Sequence, residues 1–143
     1  MKVEQISVFL ENKSGRLAEV TRAIAESGVN IRALSLADTS DFGILRLIVN
    51  DLEKTEKTLR DNGFSVGRTT VVGVAVPDRP GGLHDILGTL TENHINVEYM
   101  YAFVHQKDNN AIMIFRFDRT DQAIEVLQKG RFSIIAAKDI YQI

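Results

Sequence analysis

Residues 5–36, QISVFLENKSGRLAEVTRAIAESGVNIRALSL, and residues 71–102, VVGVAVPDRPGGLHDILGTLTENHINVEYMYA, decide the fold, because the second is a diverged copy of the first. A shift of 66 residues lays Ser14-Gly15-Arg16-Leu17 on Pro80-Gly81-Gly82-Leu83, and Val29-Asn30-Ile31 on Ile95-Asn96-Val97. After a two-residue insertion the shift becomes 68, which aligns Ile44 with Ile112, Leu59 with Leu127 and Phe64-Ser65-Val66 with Phe132-Ser133-Ile134. Only nine of the 56 paired positions are identical, so the repeat rests on where matches fall. They fall at turns and core positions, as in a structural duplication.

Each copy reads strand, helix, strand, strand, helix, strand. Ile6, Val8 and Leu10 alternate with small or polar neighbours, as do Val72, Val74 and Val76, which is the period of a half-buried strand. After a glycine turn, Leu17, Val20, Thr21 and Ile24 recur at helical spacing, matched by Leu83, Ile86, Leu87 and Leu90. These helices end near Gly28 and His94. Second strands run from Asn30 to about Ala37 and from Asn96 to about Phe103. The turns Asp38-Thr39-Ser40-Asp41 and Gln106-Lys107-Asp108-Asn109-Asn110 lead into third strands, Ile44–Val49 and Ile112–Phe117. Second helices, about Leu52–Asn62 and Asp121–Lys129, precede strands starting at Phe64 and Phe132.

The third strands carry Leu45, Leu47 and Val49, and Met113, Phe115 and Phe117, on the face expected to meet the helices. The other face, with Ile44, Arg46, Ile48, Ile112, Ile114 and Arg116, is too apolar to be simply solvated and predicts a covering partner, a homodimer or a hetero-complex. The expected architecture is α+β: two ferredoxin-like βαββαβ sandwiches in tandem, antiparallel sheets with helices on one face. The domains are read as 1–68 and 69–143, joined only by Gly67-Arg68-Thr69-Thr70, a join too short and too ordinary in composition to be a linker.

Composition narrows the function classes. With 44% hydrophobic and 25% charged residues in 143, the chain is an ordinary globular one. A formal net charge of −2 gives no footprint for a phosphate backbone, so nucleic acid is not expected as a partner. The absence of cysteine removes disulfides, iron–sulfur clusters, thiolate zinc sites and cysteine nucleophiles. Met1-Lys2-Val3-Glu4-Gln5 leads straight into a strand pattern, and no run of about 18 apolar residues occurs, so a cytoplasmic protein with no membrane association is expected. His84, His94 and His105 have no metal-ligand spacing, and no nucleophile elbow, phosphate loop or dinucleotide fingerprint is found, so no cofactor is expected.

A fold of this kind serves several functions. Electron-transfer and metal-chaperone versions need cysteines. RNA-binding versions need exposed aromatic residues on the third strand, whereas Phe115 and Phe117 belong to the helix-packed face. The turn residues Gly15-x-Leu17 and Gly81-x-Leu83, with Gly28-Val29-Asn30-Ile31 and His94-Ile95-Asn96-Val97 at the second strands, resemble the signature of the ACT domain, twice. Over nearly its whole length the chain is similar to stand-alone tandem ACT proteins of bacteria that carry no catalytic domain. The resemblance implies an amino acid bound at the interface of paired ACT domains, near the turn after the first strand. Matched positions are Asn12, Lys13, Ser14, Gly15, Arg16 and Leu17, then Asp78, Arg79, Pro80, Gly81, Gly82 and Leu83, with Asn30, Ile31, Asn96 and Val97 at the second strands. At His94 the chain departs from the small residue usual there.

Elementary chemistry points to the same turns. A helix N-terminus offers unpaired N–H groups to a carboxylate, and glycine lets a ligand approach the backbone. Asp78 offers an ammonium a charge where Asn12 offers only a dipole, and the asparagine amides donate and accept together. Each residue also has a plainer reading: turn geometry for the glycines and Asp78, strand capping for Asn30 and Asn96, core or interface packing for Tyr99, Tyr101 and Phe103. The expected function is a non-catalytic amino-acid sensor that regulates amino-acid metabolism. Two alternatives are a regulatory subunit docking on a metabolic enzyme, similar to the small subunit of acetolactate synthase, and a small enzyme using the cleft between the copies.

Overall fold

The computed structural model describes residues 1–38 and 41–142, apart from the side chains of Val104 and His105. The expected turn residues Thr39 and Ser40, and the His105 side chain, lie outside the described residues.

The elements in chain order are β1 (Lys2–Glu11), α1 (Arg16–Glu26), β2 (Ile31–Asp38), β3 (Phe42–Val49), α2 (Leu52–Asp61), β4 (Ser65–Pro77), α3 (Gly82–Glu92), β5 (Val97–Lys107), β6 (Asn110–Phe117), α4 (Thr120–Lys129), β7 (Ser133–Ile135) and α5 (Ala137–Gln142). The residues 67–70 read as a join are interior to β4, whose 13 residues end one copy and begin the next. The chain forms two compact units, Glu4–Thr69 and Thr70–Tyr141 with Met1–Val3. In the N-terminal unit the strand order is β2-β3-β1-β4, and in the C-terminal unit it is β5-β6-β4-β7. The neighbours β1–β3, β2–β3 and β4–β6 are antiparallel, with Leu45 opposite Val8 on one side and Leu36 on the other in the first unit, and Val72 opposite Phe115 in the second.

Strand parity assigns the faces. In the N-terminal unit Ile6, Val8 and Leu10 join Leu45, Leu47 and Val49 under Val20, Ala23, Ile24 and Leu59 of the helices. In the C-terminal unit Val72, Val74 and Val76 join Phe115 and Phe117 under Ile86, Leu90, Ala123 and Leu127. Each large side chain so buried contributes about 1.5–3 kcal/mol, and the Phe115 and Phe117 rings stack with centroids 5.5 Å apart. The α1 stripe is shifted from the expected one: Ala23 is buried, Leu17 is partly exposed, and the Thr21 hydroxyl donates to the Leu17 and Ala18 carbonyls instead of entering the core. α2 begins on Asp51, whose Oδ1 accepts from the Lys54 N–H at 3.1 Å, a cap worth about 1 kcal/mol.

The face without α1 to α4 differs from expectation. Ile48, Ile112 and Ile114 are fully buried within the chain, so they do not need an outside partner. In the C-terminal unit part of the cover is α5, six residues too short to leave a helical period in the sequence. Its Ile140 is fully buried beside Ile114. Tyr101, opposite Ile114, and Phe103 are also buried, which supports the packing reading for both. Arg116 donates to the Thr70 carbonyl at 2.9 Å and pairs with Glu98 at 3.4 Å. Ile44 is half-buried.

The copies share backbone features that their side chains do not. Left-handed φ angles occur at Gly28 (78°) and at the matched His94 (58°), and at Gly63 (83°) and the matched Arg131 (64°). The departure at His94 therefore leaves the turn unchanged and puts a side chain where glycine is favoured. His94→Gly is expected to stabilise the C-terminal unit by about 1 kcal/mol, seen as a raised denaturation midpoint. No gain in a two-state unfolding curve would show that the position carries no strain.

Acid sensitivity has a named origin in the N-terminal unit. Arg68 Nε donates to Glu56 Oε2 at 2.5 Å and Arg60 adds its charge at 2.8 Å, holding the Glu56 carboxyl below its ordinary value. A carboxyl depressed in the folded state contributes stability above its unfolded value, about pH 4.3, and loses it as pH falls through the folded value. Wild type is expected to exceed Glu56→Gln in stability at neutral pH, with the gap closing below about pH 4. Urea titrations of both proteins across that range check it; a gap independent of pH would assign the effect to packing instead.

Candidate functional site

Both strand-to-helix turns are built alike. The Asn12 N–H donates to the Asp41 carbonyl at 2.9 Å, tying the first turn to the β2–β3 hairpin. At the matched place the Asp78 N–H donates to the Asn109 carbonyl at 3.2 Å, tying the second to the β5–β6 hairpin. The chain then reverses, with the Arg16 N–H on the Lys13 carbonyl (3.3 Å) and the Gly82 N–H on the Arg79 carbonyl (3.0 Å). Gly15 (φ 88°) and Gly81 (φ 86°) start α1 and α3 from the left-handed region, and neither helix has a side-chain cap. The helical ladder begins with Glu19 and Asp85 bonding the Gly15 and Gly81 carbonyls at 3.0 Å each. The N–H groups of Leu17 and Ala18, and of Leu83 and His84, precede that ladder and face out of the helix end, where the helix dipole also favours an anion. α4 likewise starts without a side-chain cap, on Arg119.

Side chains distinguish the two turns. In the first, Glu11 pairs with Lys13 at 2.8 Å and Arg16 at 3.7 Å, and Arg16 also reaches Glu19 at 3.1 Å. The hydrogen bond from Lys13, then the charges of Lys13 and Arg16, hold the Glu11 carboxyl below its usual range. Ser14 and Leu17 are exposed beside them, and a hollow of about 190 Å³ lined by Phe9, Glu11, Arg16, Asn62 and Phe64 opens behind the turn. In the second, Asp78 Oδ2 accepts from Gln106 Nε2 at 2.6 Å, and Arg79 pairs with Asp85 at 2.9 Å while also donating to the Pro80 carbonyl. Gly82 is forced by crowding: a Cβ there would lie 2.1 Å from the Pro77 carbonyl oxygen, whereas the matched Arg16 has room for its side chain. Leu83 is half-buried against the core.

Asn30 and Asn96 are held through their backbones. The Asn30 N–H donates to Asn50 Oδ1 at 3.0 Å and its carbonyl accepts from the Asn50 N–H at 3.3 Å. Asn96 makes the same two bonds with Asp118, at 3.0 and 3.2 Å. Both side chains are exposed. Ile31 and Val97 follow as half-buried strand residues. β1 and β2 both pair antiparallel with β3, so they run parallel to each other, and the start of β2 lies at the end of the sheet away from the turn. The eight residues of β2 span roughly 26 Å. Within one unit the structure therefore does not bring Asn30 to the turn at Gly15, nor Asn96 to the turn at Gly81.

Sequence reasoning missed Glu11 and Gln106. Glu11 gives the first turn a carboxylate of its own, so the contrast of Asn12 with Asp78 understates that turn. Its signal is an acidic residue closing an apolar strand; Gln106, 28 residues from Asp78, leaves none. Among the described residues no group of three or more His, Cys, Asp or Glu side chains is gathered to hold a metal ion. Among the described residues no helix is long and apolar enough to cross a membrane.

Known proteins place this geometry in context. The chain is similar to protein BT0572 from Bacteroides thetaiotaomicron, with a TM-score of 0.93 and 44% identity over 100% of this chain and 98% of that one. It shares its fold with regulatory subunits of aspartate kinase from Thermus thermophilus (TM-score 0.59, 16% identity, 88% of this chain and 91% of that one) and Thermus flavus (0.56, 16%, 88% and 90%). No curated protein matches the chain. The family model described as an ACT domain pair matches residues 1–143, and the chain, a tandem of two such units with an α+β fold, belongs to that family.

Proposed function

We propose that this ACT domain pair, a regulatory ligand-binding module, is a non-catalytic sensor that binds an amino acid and regulates amino-acid metabolism. The observation that carries the reading is the turn built twice: a left-handed glycine, no side-chain cap, and a backbone tie to the neighbouring hairpin. The ligand carboxylate meets the free N–H groups at Leu17 and Ala18, or at Leu83 and His84. Its ammonium meets Glu11 in the first turn or Asp78 in the second, within the loops Asn12-Lys13-Ser14-Gly15-Arg16 and Arg79-Pro80-Gly81-Gly82. Asn30 and Ile31, or Asn96 and Val97, lie too far from the turn of their own unit to share its ligand. They complete the site from a different ACT domain, which a second copy of the chain supplies, with domains at 1–68 and 69–143.

One observation favours a second reading, docking on a metabolic enzyme. The N-terminal unit exposes Phe9 (52%), Leu36 (51%) and Phe42 (60%), more apolar surface than singly scattered residues give. The aspartate kinase relatives are themselves regulatory subunits. Co-purification of a larger enzyme, lost in Phe9→Ser with Phe42→Ser, would favour this reading.

A thermal-shift screen of the twenty amino acids tests the first. A ligand at 100 times its dissociation constant adds roughly 2.7 kcal/mol of stability. One or a few amino acids are expected to raise the midpoint of the wild type. Gly81→Asn tolerates the left-handed turn but lays a side chain over the free N–H groups, and is expected to lose the shift from the second site. Asp78→Asn is expected to weaken that site about tenfold, near 1.4 kcal/mol. No response to any amino acid, or a full shift in both folded variants, sinks the proposal.

A further inference from the structure

The C-terminal unit carries a second cavity, on the sheet face that α3 and α4 leave free. α5 docks on this face through Ile140, and its seat is a notch in β4: a Cβ at Gly73 would lie 2.6 Å from Ile140 Cδ1. Between the first turn of α5, β7 and the β5–β6 hairpin this docking leaves a cavity of about 330 Å³, at the small end of ligand pockets. Register places Ala75 opposite Ile112 on one side and Ser133 on the other, with Gly73 opposite Ile135 one step along the same face. Ala75, Ile112 and Ile135 give the cavity an apolar floor. Its rim carries Lys107 at the end of β5, Asp108 and Asn110 of the hairpin and Asp139 on α5, together with the Ser133 hydroxyl.

Two independent features mark this cavity as more than a packing gap. One is the small-residue floor. The positions matched to Gly73 and Ala75 are Ser7 and Phe9 in the N-terminal unit, so a notch and floor of this size belong to the C-terminal unit alone. The other is charge. Among the described residues none of Lys107, Asp108 and Asp139 makes an ion pair, although all three line this one cavity. Among the described residues, one unpaired cation and two unpaired carboxylates around an apolar floor match a small molecule with an ammonium, a carboxylate and an apolar body.

We infer that this cavity is a second ligand site, for a small zwitterion with an apolar side chain, formed only while α5 is docked. The carboxylate meets Lys107, the ammonium meets Asp139, and the apolar body lies on Ala75, Ile112 and Ile135. Because Asp139 belongs to α5 and Lys107 to the hairpin, the ligand bridges two elements that otherwise meet mainly through the sheet. Its binding therefore holds α5 against the sheet. The site uses no residue of the strand-to-helix turns and does not rest on the function proposed for them.

L-leucine is the probe, with glycine as the zwitterion lacking an apolar body. Calorimetric titration and hydrogen exchange of the full chain read the affinity and the protection of amides 137–142. L-leucine is expected to bind, to slow exchange across α5, and to bind roughly tenfold or more tighter than glycine. Ala75→Phe, which places the residue of the first unit in the floor, is expected to abolish the α5 protection, whereas Gly81→Asn leaves it intact. That contrast separates this site from the turns: loss in Gly81→Asn with retention in Ala75→Phe overturns the inference while supporting the turn site. Lys107→Gln and Asp139→Asn, exposed or half-exposed substitutions that do not threaten folding, carry the test if Ala75→Phe does not fold. Each is expected to weaken L-leucine roughly tenfold. Unchanged affinity in both, or no protection of α5 by L-leucine in the wild type, overturns the inference.

Discussion

A strand that feeds a helix within four or five residues has to reverse the chain in a conformation that side chains resist, and Gly15 and Gly81 provide that reversal at φ 88° and 86°. Their position decides where α1 and α3 begin, and so which helix residues fall over the sheet. Because the N-cap itself is glycine, no side-chain oxygen closes the helix end, and the first N–H groups stay available. The same turns are anchored from outside, through the Asn12 and Asp78 N–H groups, to the tips of the β2–β3 and β5–β6 hairpins. A geometric necessity of the fold thus creates, in each unit, an anion-receptive backbone beside the hairpin to which the turn is tied.

Strand parity carries this order into the core. Once the turn sets β1 under α1, Ile6, Val8 and Leu10 must face the helices, and their antiparallel partners on β3 follow. The equivalent registry fixes Val72, Val74 and Val76 with Phe115 and Phe117 in the second unit. The opposite face has no helix of the βαββαβ pattern to cover it. In the C-terminal unit the chain meets that need with α5, whose Ile140 fits the space left by Gly73.

Duplication has preserved backbone and released side chains. His94 and Arg131 hold the left-handed angles that Gly28 and Gly63 hold in the first copy, and Asp118 repeats the reciprocal pair that Asn50 makes. Around that common frame the chemistry has diverged. The first turn gathers Glu11, Lys13 and Arg16 into a network of ion pairs, while the second presses Gly82 against Pro77 and engages Asp78 with Gln106. The two copies thus share one scaffold and carry turns of unlike chemistry.

The repeat, the two periods and the turn glycines were legible in the sequence, because periodicity and left-handed turns are local properties that few residue types satisfy. From them follow the element order, the helix-facing sides of both third strands, and the turns as candidate sites. The fate of the opposite face was not legible. Whether Ile112 and Ile114 meet solvent, a partner or the chain itself depends in part on a six-residue helix that packs Ile140 against Gly73, between positions 67 apart in sequence. Nor was the separation of Asn30 from Gly15, since they are near in sequence and near in the family's motif, and only strand direction puts them at opposite ends of a sheet. Local sequence determines which backbone conformations are allowed, whereas tertiary structure decides which distant side chains share a surface, because that depends on strand order, direction and register summed over the whole unit.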